Sequence, residues 1–168
     1  MSNKPANPAL AALHQAIEIE VKGQEFYTKA AERTSNPKGA AMFRSLAADE
    51  VLHERILRRQ LEALKRGESW IAPPGVAEVQ ADLSTPLFPE GEEEFQKAVH
   101  PEDSDLDALL FALQIENESY NLYRELAQAT EDPNGRRMYE YLAAAERGHF
   151  DQLMLSYEHL LATGSWAD

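Results

Sequence analysis

Apolar residues recur every three or four positions along four long segments of the chain, and no segment shows the alternation expected of a β-strand. This periodicity predicts four α-helices, at residues 8–34, 38–66, 104–131 and 134–163. A short connection joins the first two helices, and another joins the last two. In each connection, an Asn or Asp that can cap the next helix precedes a proline that suits its first position. Connections this short produce antiparallel helix pairs.

The segment between the two pairs, residues 67–103, has a different composition. It is rich in acidic residues and contains five of the nine prolines of the chain, Pro73, Pro74, Pro86, Pro89 and Pro101. Because proline interrupts helices, we expect a long crossover here, with room for a short helix around Glu92–Val99. The sequence therefore predicts an all-α, antiparallel four-helix bundle with one long crossover, in a single domain spanning residues 1–168.

The two helix pairs are copies of one another. Comparing each residue with the residue 96 positions later aligns the pairs without a gap, and 18 of the 52 positions from 13 to 64 are then identical. Amphipathic helices share a need for Leu and Ala, which explains much of this identity. It does not explain why Glu, His and Tyr recur, and these residues become the candidates for function.

Composition limits the kinds of function. The 168 residues include 29 acidic and 16 basic side chains, a formal charge of -13, which disfavours nucleic acid and anionic membranes as partners. The chain has no cysteine, so a metal would be bound by carboxylate and imidazole groups. The longest apolar run, Ala108–Leu113, is too short to span a membrane, and the N-terminus lacks the hydrophobic region of a signal peptide. We therefore expect a cytoplasmic protein.

Each predicted helix carries a glutamate on its apolar stripe, and these residues are Glu20, Glu50, Glu116 and Glu146. On the second and fourth helices a histidine follows three residues later on the same face, as His53 and His149. Ionised carboxylates in an apolar core are unfavourable by roughly several kcal/mol each, and no Lys or Arg shares these stripes. Two divalent ions would balance the four carboxylates, and two neutral histidines would complete the coordination. We expect a two-metal site with open positions suited to dioxygen or peroxide.

One Glu from each of two helices and a Glu-x-x-His sequence from each of the other two is the ligand set of ferritin-like di-iron and di-manganese bundles. The chain resembles the rubrerythrin-like branch of this superfamily over nearly all of its length outside the crossover. The resemblance is carried by Ala16–Glu20 followed by Phe26 and Tyr27, and by Leu46–Glu50 followed by His53.

The resemblance implies a role for each of the six residues. Glu50 and Glu146 would bridge the two metals, and Glu20 and Glu116 would be terminal ligands. The two histidines, His53 and His149, would each bind one metal.

The resemblance also implies an activity, the reduction of hydrogen peroxide or oxygen with oxidation of ferrous iron. The expected cofactor is two iron ions, with manganese or a mixed pair as an alternative. Because the chain has no cysteine, it carries no rubredoxin centre, and electrons would come from a separate donor or from ferrous iron. Ser119 stands three residues after Glu116, where rubrerythrins carry an additional glutamate, which argues against efficient peroxidase activity of that type. The alternatives are a non-catalytic iron-binding or storage protein and a purely structural bundle.

Several residues near the candidate ligands have two interpretations. Tyr27 and Tyr123 follow Glu20 and Glu116 by seven residues, so they either hydrogen-bond a ligand carboxylate on a neighbouring helix or fill the core. Asp49 either orients a ligand histidine of another helix through its outer nitrogen or lies on the solvated surface.

The remaining candidates have structural interpretations. Tyr120, which has no counterpart in the first repeat, is expected to fill the core. We expect the unrepeated histidines to lie on the surface and the two tryptophans to cover the ends of the bundle; these residues are His14, His100, His159, Trp70 and Trp166. The crossover would let each helix pair pack with its own partner or with the copy in a second chain, so a homodimer is expected, with or without swapping.

Overall fold

The structure is a computed structural model, and it describes residues 7–72, 82–88 and 98–167. Within these ranges the chain forms four α-helices and no strand. The helices are α1 (Pro8–Arg33), α2 (Pro37–Lys65), α3 (Asp105–Ala129) and α4 (Pro133–Thr163). They confirm the predicted all-α four-helix bundle, with ends within two residues of the predicted ones. None of the helices in the described ranges combines the length and apolar character needed to cross a membrane.

The helix starts follow from the capping residues. The Asn36 side chain accepts hydrogen bonds from the backbone N–H groups of Lys38 at 2.9 Å and Gly39 at 3.3 Å. Asp132 accepts the equivalent bonds at the start of α4, at 2.9 and 3.3 Å. Each cap is followed by a proline at the first helical position. Proline lacks a backbone N–H, but no hydrogen bond is lost because an N–H at this position has no acceptor within the helix. The tight connections that these caps produce fold each helix pair into a hairpin.

The two hairpins pack with α1 facing α3 and α2 facing α4. At the end of α1, the Thr34 hydroxyl donates a hydrogen bond to Asp105 at the start of α3, at 3.1 Å, so these helices are antiparallel. Trp166, just after α4, packs on Gly39 at the start of α2, so this pair is antiparallel as well. The end of α2 and the start of α3 therefore lie at opposite ends of the bundle.

The described part of this crossover lies across α3 and α4. Tyr120 on α3 donates its hydroxyl to the backbone oxygen of Thr85 at 2.8 Å, and Arg147 on α4 donates to the backbone oxygen of Asp82 at 2.6 Å. The ring of Phe88 packs against that of Phe150 at 4.9 Å between centroids. Tyr120 is fully buried and so fills the core as expected, and its hydroxyl also holds the crossover. The short helix expected around Glu92–Val99 falls mostly outside the described residues.

Two tryptophans cover opposite ends of the bundle, and each lies on a glycine of the other hairpin. A Cβ atom at Gly39 would lie 2.7 Å from the Trp166 ring, and one at Gly135 would lie 2.8 Å from the Trp70 ring. Trp70 and Trp166 are themselves 96 residues apart, so the repeat extends to these contacts. The prediction that both residues cover bundle ends is confirmed, and the glycines provide the space that the indole rings occupy.

The buried apolar residues form two clusters with the middle of the bundle between them. One contains Tyr27, Phe43 and Leu46, and the other contains their repeat counterparts Tyr123, Tyr139 and Leu142. The candidate ligands lie between these clusters and are themselves buried.

Candidate metal centre

The six candidate ligands meet at the centre of the bundle, although they come from four different helices. All are buried: Glu20, Glu116 and Glu146 are at most 1% exposed, and Glu50, His53 and His149 are 3%, 5% and 8% exposed. One chain is sufficient to assemble the whole set, because the two hairpins pack against each other. The exposed histidines lie elsewhere, as expected, and these are His14, His100 and His159.

The six residues form two overlapping groups of possible ligand atoms. Glu20, Glu50, His53 and Glu146 have one ligand atom each within 4.8 Å of the others. A second group contains Glu50, Glu146, Glu116 and His149, within the same limit. Glu50 and Glu146 belong to both groups, so two neighbouring metals bound here would share these two carboxylates. Glu20 and His53 would then serve one metal, and Glu116 and His149 the other.

Both histidines direct Nδ1 toward the carboxylates. Nδ1 of His53 lies 3.5 Å from Glu20 and 3.3 Å from Glu146. Nδ1 of His149 lies 3.1 Å from Glu146 and 3.3 Å from Glu50. The two rings stack with their centroids 5.6 Å apart. Each group therefore presents one nitrogen and several oxygens, the mixed donor set that first-row metals accept.

Unpartnered polar atoms show that this cluster is suited to a cation. In the described ranges, each of the four glutamates has one buried oxygen without a hydrogen-bond partner, and Nδ1 of His53 also has none. Leaving such an atom unsatisfied costs about 1–3 kcal/mol, so they are rarely grouped without a reason. A divalent ion binds acceptor atoms of this kind. The residues present therefore fit a two-metal carboxylate centre.

The pKa shifts of the buried glutamates and histidines also indicate that the cluster favours added positive charge. Burial, followed by the charge of neighbouring acids, raises the pKa of Glu50 and Glu146 well above the usual carboxyl range. Burial opposes ionisation of Glu20 as well, but the neighbouring side chains of Glu50, His53 and Tyr123 outweigh it and lower its pKa. Burial alone would lower the pKa of His53 and His149, yet the surrounding glutamates raise both. Protons or metal ions can supply the charge that the four acids require.

Two buried tyrosines each donate a hydrogen bond to a candidate ligand on the facing helix. Tyr27 on α1 donates its hydroxyl to Glu116 on α3, and Tyr123 on α3 donates to Glu20 on α1. Burial and the charge of the accepting glutamate raise the pKa of each phenol well above its usual value. Both hydroxyls therefore remain protonated donors at neutral pH. Of the two interpretations of these tyrosines, the structure supports hydrogen bonding to a candidate ligand.

Asp49 contacts a candidate ligand of another helix. Its Oδ2 atom lies 3.1 Å from Nε2 of His149, the nitrogen on the opposite side of the ring from the glutamates of the site. The side chain of Asp49 is 45% exposed, so it lies at the edge of the site. Of its two interpretations, the structure supports the orientation of a ligand histidine.

The sequence analysis missed two features beside the ligands. Gln24 donates hydrogen bonds to the backbone oxygen of Glu50 at 3.3 Å and to the side chain of Glu54 at 2.7 Å. Gly23 leaves room for Glu50, because a Cβ atom there would lie 3.2 Å from Oε2 of that residue. Gly23 is the repeat counterpart of Ser119, and this correspondence was the one signal available in the sequence.

The bundle and its central cluster of four carboxylates and two histidines define a ferritin-like carboxylate protein. The family model for rubrerythrin matches residues 11–157, which is most of the chain. The chain therefore belongs to the rubrerythrin family.

Two solved structures share this fold. A hypothetical protein from Pyrococcus furiosus is 25% identical, with a TM-score of 0.67, and the match covers 92% of this chain and 90% of that one. A candidate ferritin-like diiron-carboxylate protein from Thermotoga maritima is 24% identical, with a TM-score of 0.63 and coverage of 89% and 94%. No curated protein sequence gives a match.

Proposed function

We propose that the protein binds two iron ions between its four helices and catalyses the oxidation of ferrous iron by hydrogen peroxide or oxygen. The observation that carries this proposal is the pair of overlapping ligand groups that share Glu50 and Glu146. Six protein ligands do not fill the coordination of two iron ions, so positions stay available for a small oxidant. Iron bound there would supply the electrons that reduce the oxidant.

The residues of the chain define how the site would work. The four carboxylates balance the charge of two divalent ions, and the tyrosines Tyr27 and Tyr123 keep two of these carboxylates in place. The apolar clusters on either side exclude bulk water, which strengthens the electrostatic interactions within the site. The site is thus arranged to hold metal ions tightly while admitting only small molecules.

Ferrous iron is the electron source that this chain favours. Each hydrogen peroxide molecule accepts two electrons, one from each of two ferrous ions. It also takes up two protons and is converted to two water molecules. The chain has no cysteine, so it does not itself carry a thiolate iron centre to deliver electrons. Ser119, 2% exposed, occupies the position of the additional glutamate of rubrerythrins, which favours iron oxidation over a dedicated peroxidase cycle.

Iron binding without turnover is the second candidate, because the two overlapping ligand groups account for metal binding alone. A manganese or mixed pair would use the same oxygen and nitrogen ligands, because such ligands discriminate weakly among first-row metals. Catalysis and storage differ in one measurable respect, which is whether iron beyond the first two ions per chain is oxidised at the same site.

The test begins with an anaerobic ferrous titration of the wild type and the Glu50→Ala, Glu146→Ala double variant. A matched control is the Glu62→Ala, Glu158→Ala double variant, which removes another repeat-related pair of glutamates, both exposed, from the same two helices. We expect two ions per chain in the wild type and the control, and none in the first variant. Binding of metal by that variant at the wild-type level would overturn the proposal.

Oxidation kinetics complete the test. Wild-type protein loaded with two ferrous ions per chain is mixed with peroxide or oxygen and then given further ferrous iron. Repeated oxidation at a constant rate supports catalysis. A single oxidation of two ions followed by no further reaction would overturn catalysis and leave iron binding alone.

A further inference from the structure

The repeat makes the two halves of the site equivalent at every candidate ligand, but it fails at the residue that contacts the outer nitrogen of one ligand histidine. Asp49 precedes Glu50 on α2 and contacts Nε2 of His149 on α4, at 3.1 Å. The repeat counterpart of Asp49 is Ala145, which precedes Glu146 on α4. Alanine has no polar side-chain atom, so this residue cannot perform the same role toward His53 on α2.

The contacts of the two histidines differ accordingly. In the described ranges, the carboxylate contacts of His53 all run through Nδ1, the nitrogen that faces the site. His149 has carboxylates on both sides, with Glu50 and Glu146 at Nδ1 and Asp49 at Nε2. Among the described residues, a metal ion at Nδ1 of His149 would therefore bind an imidazole supported by an outer carboxylate, whereas one at Nδ1 of His53 would bind an imidazole without it.

A carboxylate at the outer nitrogen of a ligand histidine has two known effects. It fixes the tautomer that leaves the inner nitrogen free to bind metal, and it makes that nitrogen more electron-rich. Removing such a partner typically weakens metal binding by about 10- to 100-fold. Asp49 is partly exposed and lies beside the site without being a candidate ligand itself.

We propose that the two metal positions are unequal, and that Asp49 makes the position held by Glu116 and His149 the tighter one. The position held by Glu20 and His53 binds more weakly and exchanges its ion more readily. This inference rests on the proposed function, because it assumes that the six residues bind two ions. The ion beside Glu116 and His149 would therefore stay bound, and the ion beside Glu20 and His53 would be the one that is replaced.

Locating the first ion tests this assignment directly. Crystals of the wild type prepared with one ferrous ion per chain under anaerobic conditions would be examined by anomalous scattering at the iron edge. We expect the anomalous peak beside Glu116 and His149. Equal peaks at both positions, or a stronger peak beside Glu20 and His53, would overturn the inference while leaving the proposed function intact.

Two substitutions test the role of Asp49 by anaerobic titration calorimetry with ferrous iron. Asp49→Asn keeps the size of the side chain but removes its charge, and we expect it to weaken the tighter step by about 10- to 100-fold. Ala145→Asp restores the repeat, and we expect it to tighten the weaker step. Glu62→Gln, which removes one exposed charge from α2, serves as the control and should change neither step.

The outcomes separate the two proposals. Two equal binding steps in the wild type, or no effect of Asp49→Asn on either step, would overturn the inference alone. Absence of iron binding to the wild type would overturn the proposed function and this inference together. Asp49 and Ala145 are both partly exposed, so the variants should fold, and the thermal unfolding of each would be compared with that of the wild type.

Discussion

Tyr123 on α3 donates its hydroxyl to Glu20 on α1, and Tyr27 on α1 returns the same interaction to Glu116 on α3. These two hydrogen bonds connect the hairpins at the centre of the bundle. Each uses one oxygen of a glutamate and leaves the other oxygen, which has no partner in the described ranges, directed at the site. The tyrosines therefore determine which oxygen of each carboxylate is available to a metal.

Removing one of these hydroxyls should affect both metal binding and folding. In Tyr123→Phe, Glu20 loses its donor and can rotate, so we expect iron binding to weaken by about 10-fold or more. Loss of a donor to a buried carboxylate should also lower the free energy of unfolding of the metal-free protein by about 1–3 kcal/mol. Anaerobic iron titration and urea unfolding measure the two effects. Tyr141→Phe, at a partly exposed tyrosine of α4, is the control, and equal behaviour of the two variants would contradict this role.

Iron binding should release protons and weaken as the pH falls. Burial and neighbouring charge raise the pKa of Glu50 and Glu146, while the surrounding glutamates outweigh burial and raise the pKa of His53 and His149. Groups with raised pKa values keep their protons at higher pH in the metal-free protein, yet all four must lose them to bind metal. Acid therefore competes with the metal. The lowered pKa of Glu20 acts in the opposite direction but concerns one group only.

Proton release can be measured by anaerobic ferrous titration in a weakly buffered solution with a pH indicator. Calorimetry in two buffers of different ionisation enthalpy would give the same number independently. The Glu62→Ala, Glu158→Ala control should release as many protons as the wild type. Iron uptake with no proton release near neutral pH, or affinity that rises as the pH falls, would refute this expectation.

The fold could be predicted from the sequence because its main determinants are local. The apolar stripes, the caps Asn36 and Asp132 and the prolines after them define the hairpins without reference to distant residues. The stripes also place the four candidate glutamates and the two histidines on the inward faces of the helices. These six residues therefore meet once the bundle forms.

Features that depend on how the helices are rotated against each other could not be settled in this way. Whether Asp49 reaches His149 depends on the packing of α2 on α4, and so both interpretations of Asp49 remained open. The same holds for the path of the crossover, which the hydrogen bonds of Tyr120 and Arg147 fix against α3 and α4. Neither residue carries a sequence signal for that contact.

The glycines under the two tryptophans provide a test of the packing at the bundle ends. Alanine normally stabilises a helix relative to glycine by about 1 kcal/mol. At Gly39 and Gly135, however, a Cβ atom would lie 2.7 and 2.8 Å from an indole ring, closer than atoms can approach. We therefore expect Gly39→Ala and Gly135→Ala to lower the free energy of unfolding by about 1–3 kcal/mol, as in overpacked cores.

Gly148 is the matched control for these substitutions, because it lies within α4 and a Cβ atom there would have no neighbour within 4 Å. Gly148→Ala should raise the free energy of unfolding by a fraction of a kcal/mol up to about 1. Urea unfolding and tryptophan fluorescence would be recorded for the three variants. Stabilisation by Gly39→Ala would show that Trp166 does not pack as the structure places it.

Ser119 provides a test of which residue determines the choice between peroxide and oxygen as the oxidant. The side chain is buried, and its repeat counterpart Gly23 lies against the carboxylate of Glu50. Because Glu146 is the repeat counterpart of Glu50, we expect a side chain at position 119 to lie against Glu146. Ser119→Glu would introduce the additional glutamate of the family beside the site, and we expect the rate of iron oxidation by peroxide to increase relative to the rate with oxygen. Ser119→Gln has the same size without the charge and should not produce this change. Equal ratios of the two rates in both variants would show that another residue determines the choice of oxidant.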